Sequence, residues 1–441
     1  MRGSFRIAGH VAGSVPLGVQ RRGGIVAGRT IVILGGGVGG LVCANELRRH
    51  LSREHRIVLV EKNGQHAFAP SFLWVMTGDR QPGQIARPVR QLVRPGVEIL
   101  QAEARGIDLG ARRVETSEQA LDYDYLIVAL GAELAPETIP GLADTSHTSH
   151  TFYTFDGATK LRDALHAFDG GSVAVVVSAL PYKCPGAPYE GAMLIADSFR
   201  KRGLRGSVGV HLFTPEPQPM PVAGPMLGDA VTQMLESKGI AFHPLHKLTA
   251  VNPQARELVF EGREPVRYDM LVAIPPHRGP RLVREAGLAN EAGWVPVDHA
   301  TLLTQHDNVY ALGDVTAIPV PGRWKPDVLL MLPKAGVFAH AQAQVVARRI
   351  AGEITGVGVR NTFCGDGYCM LEAGGDLAGF AFGDFFAEPS PQVELRKIGR
   401  IWHLGKVLFE QWWLAPYGPR REALRLALTL GGKALRVPVV V

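Results

Sequence analysis

The sequence predicts an α/β fold, because short β-branched segments alternate with segments of helical periodicity. The first such segment, residues 30–34 (TIVIL), has the composition of a buried parallel strand. The glycine motif GGGVGG follows at 35–40, and residues 41–50 then show helical periodicity. A second strand-like segment, 56–60 (RIVLV), ends at an acidic residue. This order of strand, glycine turn, helix, strand and acid is typical of a dinucleotide-binding unit.

Individual residues of this unit have predicted roles in cofactor binding. Gly35, Gly37 and Gly40 fit the pattern G-x-G-x-x-G, which lets the backbone approach a pyrophosphate at a helix N-terminus. Glu61 is expected to accept hydrogen bonds from ribose hydroxyls. Lys62, the next residue, is a further candidate contact to the cofactor.

Two later segments indicate which dinucleotide is bound. Residues 123–133 (YDYLIVALGAE) and 308–315 (NVYALGDV) each predict a buried strand that runs into a glycine turn. Together with the first glycine motif, they resemble the signatures of the flavoproteins that have two dinucleotide-binding domains. This resemblance implies FAD as cofactor, with Gly131 in the second signature and Asp314 holding the ribityl chain.

A second unit of the same kind has lost its glycine motif. Residues 171–177 (GSVAVVV) predict its first strand, but SALPYKCPGAPYE follows at 178–190. Pro181 and Pro185 remove backbone donors that would otherwise bind phosphate. We infer that this unit keeps its fold without a nucleotide, and that NAD(P)H is not the electron donor.

A cysteine stands where the phosphate-binding loop is missing. Cys184 precedes a plausible helix, whose dipole is expected to stabilise the thiolate and lower the pKa, and Lys183 adds positive charge. Glu190, six residues further on, is a candidate proton acceptor. The alternative is a buried inert cysteine and a surface glutamate.

The other cysteines are Cys43, Cys364 and Cys369. Cys43 is expected to pack in the core of the first helix. Cys364 and Cys369 lie in a glycine-rich segment without a C-x-x-C or histidine pattern, so no metal site is predicted. One of these two is expected to form a redox pair with Cys184. Four cysteines in 441 residues do not suggest a disulfide scaffold.

The motifs KCPGAPYE (183–190), DGYC (366–369) and LPKAGVFAHAQ (332–342) resemble those of sulfide:quinone oxidoreductase. A near relative is the flavoprotein subunit of flavocytochrome c sulfide dehydrogenase. The resemblance implies that Cys184 and Cys369 are the redox cysteines and that Glu190 is the base. Cys369 matches better than Cys364, because it follows the glycine-tyrosine stretch. Lys334 matches a lysine that stabilises reduced flavin.

The resemblance implies that sulfide is oxidised to zero-valent sulfur or polysulfide through the cysteine pair and FAD. A membrane quinone takes the electrons, and a sulfur acceptor takes the product.

Residues 63–72 lack the cysteine that binds FAD covalently in flavocytochrome c, so the FAD is expected to be non-covalent. Residues 134–155 lack the third cysteine of some family members.

Three functions other than sulfide:quinone oxidation remain open. The first is a type II-like NADH:quinone oxidoreductase, which would need the phosphate-binding loop that is missing after residue 177. The second is a sulfide dehydrogenase flavoprotein that passes electrons to a cytochrome c. The third is a non-enzymatic flavoprotein, which would not need paired thiols.

The C-terminal region predicts contact with a membrane surface. Residues 401–417 contain three tryptophans, and residues 419–436 alternate basic and apolar side chains, as interfacial helices do. Four apolar residues recur there at helical spacing: Ile401, Leu404, Leu408 and Trp412. The alternative is a core helix followed by a solvated tail.

The absence of any apolar run of eighteen residues predicts a peripheral membrane protein without a membrane-spanning helix. The net charge of +6 suits an anionic membrane surface, since no nucleic-acid-binding module is recognised. The sequence leaves homo-oligomerisation and the face of the membrane open.

The predicted fold class is therefore α/β, with two Rossmann-like FAD/NAD(P)-binding-type domains and a C-terminal membrane-association region. The predicted division of the chain is a basic N-terminal tail (1–28), the first part of the FAD-binding domain (29–150), the second Rossmann-like domain (151–290), the return part of the FAD-binding domain (291–355) and the C-terminal region (356–441).

Overall fold

The structure is a computed structural model that describes residues 28–144, 149–325, 327–358, 361–439 and 441. The predicted basic tail lies outside the described residues except for residue 28. The first part of the chain forms these elements: β1 (Thr30–Leu34), α1 (Val38–His50), β2 (Arg56–Val60), β3 (Gln65–Ala67), α2 (Phe72–Thr77), β4 (Ala86–Pro88), β5 (Glu98–Leu100), β6 (Ala104–Asp108), β7 (Arg113–Thr116), β8 (Ala120–Asp122), β9 (Tyr125–Val128) and β10 (Glu133–Leu134).

The middle of the chain forms these elements: β11 (Ser149–His150), α3 (Phe155–Ala167), β12 (Gly171–Val177), α4 (Ala187–Lys201), β13 (Val208–Phe213), α5 (Pro225–Ser237), β14 (Ile240–His243), β15 (Leu248–Asn252), β16 (Glu257–Phe260), β17 (Val266–Arg267), β18 (Met270–Ile274), β19 (His277–Arg278) and α6 (Arg281–Glu285). The last part forms these: β20 (Val295–Pro296), β21 (Val309–Ala311), β22 (Thr316–Ala317), α7 (Gly336–Thr355), β23 (Asp366–Gly374), β24 (Leu377–Asp384), β25 (Gln392–Gly399), α8 (Arg400–Leu414) and α9 (Pro419–Leu435).

The first unit is a parallel sheet in the order β21-β9-β1-β2-β5. Its central strand β1 is buried along almost its whole length, as the β-branched composition predicted. Helices α1 and α7 pack on each other. Because β21 comes from the last part of the chain and pairs with β9, the chain returns to this sheet after completing a second unit.

The second unit is another parallel sheet, in the order β11-β18-β12-β13-β14. Residue 149 already belongs to this sheet, two residues before the predicted boundary. At the other end, α6 packs against β6 of the first unit, and Val283 and Leu288 are buried in that unit's core. The return therefore begins before the predicted residue 291. The predicted α/β fold with two Rossmann-like units is confirmed.

The C-terminal part adds an antiparallel sheet, β23-β24-β25, and helices α8 and α9. Strand β23 packs against α4, and α8 packs across β24. The carboxylate of Glu410 on α8 accepts hydrogen bonds from Ser71 Oγ at 2.7 Å and Arg80 Nε at 3.0 Å, both in the first unit. These hydrogen bonds join α8 to the first unit.

The predicted apolar face of the C-terminal region is correct only in part. Ile401 and Leu404 are exposed, but Trp412 is buried, since its ring packs against Phe409 and Arg421 lies over it. The assignment of Trp412 to an exposed interfacial face is therefore wrong. Among the described residues, the structure contains no helix that is both long and apolar enough to cross a membrane.

Candidate active site

The glycine turn after β1 leaves the N-terminus of α1 open. Gly35 has φ of +100°, which favours glycine, and a side chain on Gly40 would collide with the carbonyl oxygen of Gly35. Gly37 is the N-cap residue of α1, and a Cβ there would meet no described atom within 4 Å. None of the described side chains caps the helix, so its first amides face this open space.

Glu61 is fixed beside this turn. Its Oε2 accepts a hydrogen bond from the amide of Gly36 at 2.5 Å, and its Oε1 accepts one from the amide of Asn63 at 2.8 Å. Lys62 is exposed. Gly131, in the turn after β9, has φ of +69° and open space around its Cα.

Asp314 and Lys334 lie together at the start of α7. Lys334 immediately precedes Ala335, the N-cap residue, and its Nζ donates to the carbonyl oxygens of Asp314 at 2.8 Å and Thr316 at 3.0 Å. Its Nζ also lies 3.5 Å from the ring centroid of Trp294. Burial lowers the pKa of Lys334 to about 8, while the Asp314 charge opposes this shift. Lys334 therefore stabilises the turn that carries Asp314.

These features fit FAD. An uncapped helix N-terminus with open space at Gly37 suits a pyrophosphate, and the fixed Glu61 carboxylate suits a ribose. The half-buried Asp314 carboxylate lies at the end of β21, where the flavoprotein signature places the ribityl contact. Burial raises the pKa of Asp314, and the charges of Lys183 and Lys334 counteract the increase.

Cys184 lies in the loop between β12 and α4, in a fixed backbone conformation. Its φ is +57°, which is uncommon for a residue other than glycine and indicates that the surroundings hold it. Its amide donates to the carbonyl oxygen of Lys334 at 2.6 Å, and its carbonyl accepts from the amide of Ala187 at 3.0 Å. The cysteine loop is therefore joined to the start of α7.

Cys369 on β23 lies next to this loop. A Cβ placed on Gly186 would lie 3.8 Å from Cys369 Sγ and 3.5 Å from Glu190 Oε2. The structure thus brings Cys184, Cys369 and Glu190 to one place, with both cysteines as free thiols. Cys364 lies apart from them: it is exposed, and its Sγ contacts the carbonyl oxygen of Thr362 at 3.6 Å.

Glu190 is a buried member of an ion pair. Its Oε1 accepts from Lys406 Nζ on α8 at 2.7 Å and from the amide of Glu372 on β23 at 2.9 Å. Lys406 Nζ also donates to the carbonyl oxygen of Met370 at 3.2 Å. Burial opposes the charged form of Lys406, but Glu190 and Glu372 raise its pKa above the usual value. The reading of Glu190 as a surface residue is excluded.

The predicted lowering of the Cys184 pKa is wrong for this arrangement. Burial raises the pKa of the Cys184 thiol to about 12, and the charge of Glu190 adds to the shift, while Lys406 opposes it. Burial and Glu190 also raise the pKa of Cys369 well above its usual value. The sequence predicted that Glu190 lies near Cys184, but it did not reveal that the carboxylate would be buried there.

Lys183 was expected to act on Cys184, but its positive charge acts on two other groups. Its charge acts on Asp314 and lowers the pKa of His277, for which burial is the larger cause. Cys43, by contrast, is fully buried in α1, as predicted.

In the second unit, the acidic residue that follows β13 is hydrogen-bonded to side chains of the unit itself. Glu216 follows β13, close to the position at which Glu61 follows β2 in the first unit. Its Oε2 accepts hydrogen bonds from the hydroxyls of Tyr182 at 2.8 Å, Tyr189 at 2.6 Å and Thr214 at 3.1 Å. Because Glu216 is buried and its Oε2 already accepts from three hydroxyls, this oxygen is not available to ribose hydroxyls.

The fold and the dinucleotide cradle define an oxidoreductase of the two-domain flavoprotein class. The model of the family described as "Pyridine nucleotide-disulphide oxidoreductase" matches residues 29–344, and the chain belongs to this family. Similar proteins confirm the resemblance to sulfide:quinone oxidoreductase that the cysteine motifs predicted.

The chain is similar to the mitochondrial sulfide:quinone oxidoreductase of Mus musculus, with 28% identity over 66% of each chain. It is 28% identical to the sulfide-quinone reductase of Aquifex aeolicus over 87% of this chain and 90% of that one. The crystal structure of the Aquifex enzyme superposes with a TM-score of 0.79 at 26% identity, covering 92% of this chain and 95% of that chain. The type II NADH:quinone oxidoreductase of Staphylococcus haemolyticus is 24% identical over 74% of this chain and 83% of its own.

Lys406, Glu372 and His403 are site residues that sequence analysis missed. Lys406 and His403 lie in the segment interpreted as an interfacial helix, and Glu372 follows the second cysteine motif. Lys406 and Glu410 lie one turn apart on α8 and therefore on the same face of the helix. This spacing is the only signal in the sequence that could have indicated a buried polar face.

The raised pKa of Cys184 predicts slow alkylation. At pH 8 a thiol with a pKa of about 12 has about one thiolate in ten thousand molecules, so iodoacetamide should label exposed Cys364 far ahead of Cys184. The labelling rate of Cys184 should rise about tenfold per pH unit between about pH 7 and pH 9, as measured by peptide mass spectrometry. A Cys184 rate that equals that of Cys364 and levels off near pH 9 would contradict the raised pKa.

Proposed function

We propose that this chain oxidises sulfide to zero-valent sulfur or polysulfide and passes the electrons through FAD to a quinone. The observation that carries the proposal is the placement of Cys184, Cys369 and Glu190 where a nucleotide-binding loop would begin. The similarity to sulfide:quinone oxidoreductases supports it. The occupied Glu216 favours sulfide over NADH as the donor.

Cys184 and Cys369 act as a pair that takes up the sulfide sulfur. Sulfide attacks a bridge between them, so that one cysteine becomes a persulfide and the other is released as a thiolate. Glu190 Oε2, which like Cys369 Sγ lies close to Gly186, receives a proton from the incoming sulfide. When bound, FAD supplies the two-electron acceptor between the cysteine pair and the quinone. A further sulfide or another sulfur acceptor then removes the oxidised sulfur and leaves two thiols, the state in which the structure has the pair. The bridge would re-form when these two thiols lose two protons and give two electrons to the flavin.

The residues of the cradle hold FAD without a covalent bond. Residues 63–72, between β2 and α2, contain no cysteine that could form a thioether. Gly35, Gly37 and Gly40 admit the pyrophosphate, and Glu61 binds the ribose. Asp314 binds the ribityl chain, and Lys334 maintains the turn that presents it. Denaturation in acid should therefore release FAD into the supernatant.

Helices α8 and α9 place the chain on a membrane surface, where a quinone is dissolved. Leu426 and Leu430 are each 56% exposed and lie one turn apart on α9, and Ile401 and Leu404 are exposed on α8. Arg425 and Lys433 flank the exposed leucines. An apolar stripe with basic neighbours suits the interface of an anionic bilayer. The chain is thus proposed to be a peripheral membrane protein.

The test of the proposed reaction is anaerobic flavin absorbance, with sulfide added to one sample and NADH to another. Sulfide should bleach the flavin of the wild-type protein and of Cys364→Ala, whose thiol lies apart from the site. The Cys184→Ala and Cys369→Ala variants should lose on the order of 10³-fold in bleaching rate, because the covalent sulfur carrier is removed. NADH should bleach none of them.

The initial flavin spectrum serves as the control for retained FAD in each variant. Bleaching by NADH alone would contradict the proposed donor. Unchanged sulfide bleaching in Cys184→Ala would contradict the role of the Cys184 thiol. Loss of bleaching in Cys364→Ala but not in Cys369→Ala would show that Cys364, and not Cys369, is the second redox cysteine.

Membrane contact predicts that the double variant Leu426→Glu and Leu430→Glu binds vesicles of anionic phospholipid at least about tenfold more weakly, because two apolar contacts are replaced by charges. Co-sedimentation measures this change. Leu245→Glu, an exposed leucine in the loop between β14 and β15, is the matched control and should bind as the wild type does. Equal binding by all three proteins would exclude α9 as the contact.

A further inference from the structure

The peptide unit between Gly36 and Gly37 is the part of the glycine turn that lies at the open N-terminus of α1. Gly37 is exposed, and a Cβ on it would meet no described atom within 4 Å. A trans peptide unit points its carbonyl oxygen and its N–H in opposite directions. The Gly37 amide can therefore point at a pyrophosphate only while the Gly36 carbonyl points into the protein.

Two side chains hold Gly36 by both of its polar groups. Glu61 Oε2 accepts from the Gly36 amide at 2.5 Å, and His66 Nδ1 lies 3.1 Å from the Gly36 carbonyl oxygen. His66 belongs to β3 and is 8% exposed. A Cβ on Gly36 would lie 2.9 Å from Cγ of Glu61, so the turn packs closely against this side chain. The orientation of the peptide unit is thereby fixed.

The tautomer of His66 is determined from its other side. Trp413 Nε1 on α8 lies 2.9 Å from His66 Nε2, and an indole N–H can only donate. Nε2 therefore accepts, and the proton of the neutral imidazole is on Nδ1, from which it is donated to the Gly36 carbonyl oxygen. Burial lowers the pKa of His66 to about 4, although the hydrogen bond to Gly36 opposes this shift, so the ring is neutral at pH 7.

Trp413 is itself held in place by the last helix. Its side chain is 4% exposed, and its carbonyl oxygen accepts from Arg421 Nη1 on α9 at 2.9 Å. The same Nη1 donates to the carbonyl oxygens of Trp412 at 3.2 Å and Ala415 at 2.8 Å, at the C-terminal end of α8. Hydrogen bonds thus connect the C-terminal helices with the glycine turn, although Trp413 and His66 are 347 residues apart.

We propose that His66 is a positioning residue for FAD, which holds the Gly36 carbonyl away from the pyrophosphate and so presents the Gly37 amide to it. Trp413 is its partner, because the indole N–H selects the tautomer that can donate to Gly36. The inference rests on the proposed binding of FAD. It makes the C-terminal helices part of the cofactor site, which neither the glycine motif nor the cysteine motifs suggests.

The consequence of losing the Nδ1 donor follows from the peptide geometry. A buried carbonyl oxygen without a partner is unfavourable, so the Gly36 carbonyl would turn toward solvent, where it finds hydrogen bonds. Solvent lies on the side of the pyrophosphate, whose negative oxygens a carbonyl oxygen repels. The cradle would then lose one amide donor and gain a repulsive group.

Two replacements of His66 separate its two nitrogen atoms. The amide nitrogen of Asn occupies about the place of Nδ1, and the amide oxygen of Gln occupies about the place of Nε2. His66→Asn keeps the donor to Gly36 and should lose FAD as slowly as the wild type. His66→Gln keeps the acceptor for Trp413 and should lose FAD about tenfold faster. The measurement is the rise of flavin fluorescence after dilution of the holoenzyme.

His55→Gln is the matched control. His55 is a buried histidine of the same unit, and its Nδ1 accepts from the amide of Arg29 at 3.1 Å, at the edge of the sheet opposite the glycine turn. This variant also loses an Nδ1 hydrogen bond, but it should keep the wild-type rate of FAD loss. Trp413→Phe removes only the indole donor and should speed FAD loss by a smaller factor than His66→Gln.

A His66→Gln protein that retains FAD as the wild type does, or equal losses in His66→Asn and His66→Gln, would overturn the positioning role and leave the proposed function intact. If neither replacement of His66 folds, a wild-type rate of FAD loss in Trp413→Phe would overturn it. A wild-type protein that binds no FAD would overturn the proposed cofactor as well.

Discussion

The buried ion pair between Glu190 and Lys406 is the interaction on which the site depends. It joins α4 to α8, and the amide of Glu372 ties β23 to the same carboxylate. Removing both charges from water is costly, so the pair is stable only because further hydrogen bonds and Coulomb attraction satisfy it. Its consequence is positional: it holds the strand that carries Cys369 against the loop that carries Cys184, although the two cysteines lie far apart in sequence.

A second constraint explains how a dinucleotide-binding unit came to carry thiols. The loop after β12 carries Tyr182, and the helix that follows carries Tyr189; both hydroxyls donate to Glu216. The loop adopts the left-handed conformation at Cys184 and pairs with the residues before α7. The loop thereby brings Cys184 to the residues that precede α7.

The first unit was predictable because its signals are local: a strand, a glycine turn and an acid fall within about thirty residues. The proximity of Cys184 and Glu190 followed in the same way from their short spacing. Lys406 was not predictable, since it contacts Glu190 across 216 residues and belongs to a helix on which Ile401 and Leu404 are exposed. The direction of the Cys184 pKa was also missed, because helix dipole and burial oppose each other and only the structure shows that burial prevails.

The most direct measurement is mass spectrometry of peptides from protein that has been treated with limiting sulfide and then alkylated without reduction. If Cys184 and Cys369 carry the sulfur together, the peptide of one of them should be recovered as an alkylated persulfide, with the mass of one added sulfur atom, and the other as an alkylated thiol. An added sulfur atom on Cys364, or sulfide-treated protein in which neither Cys184 nor Cys369 carries one, would contradict the account.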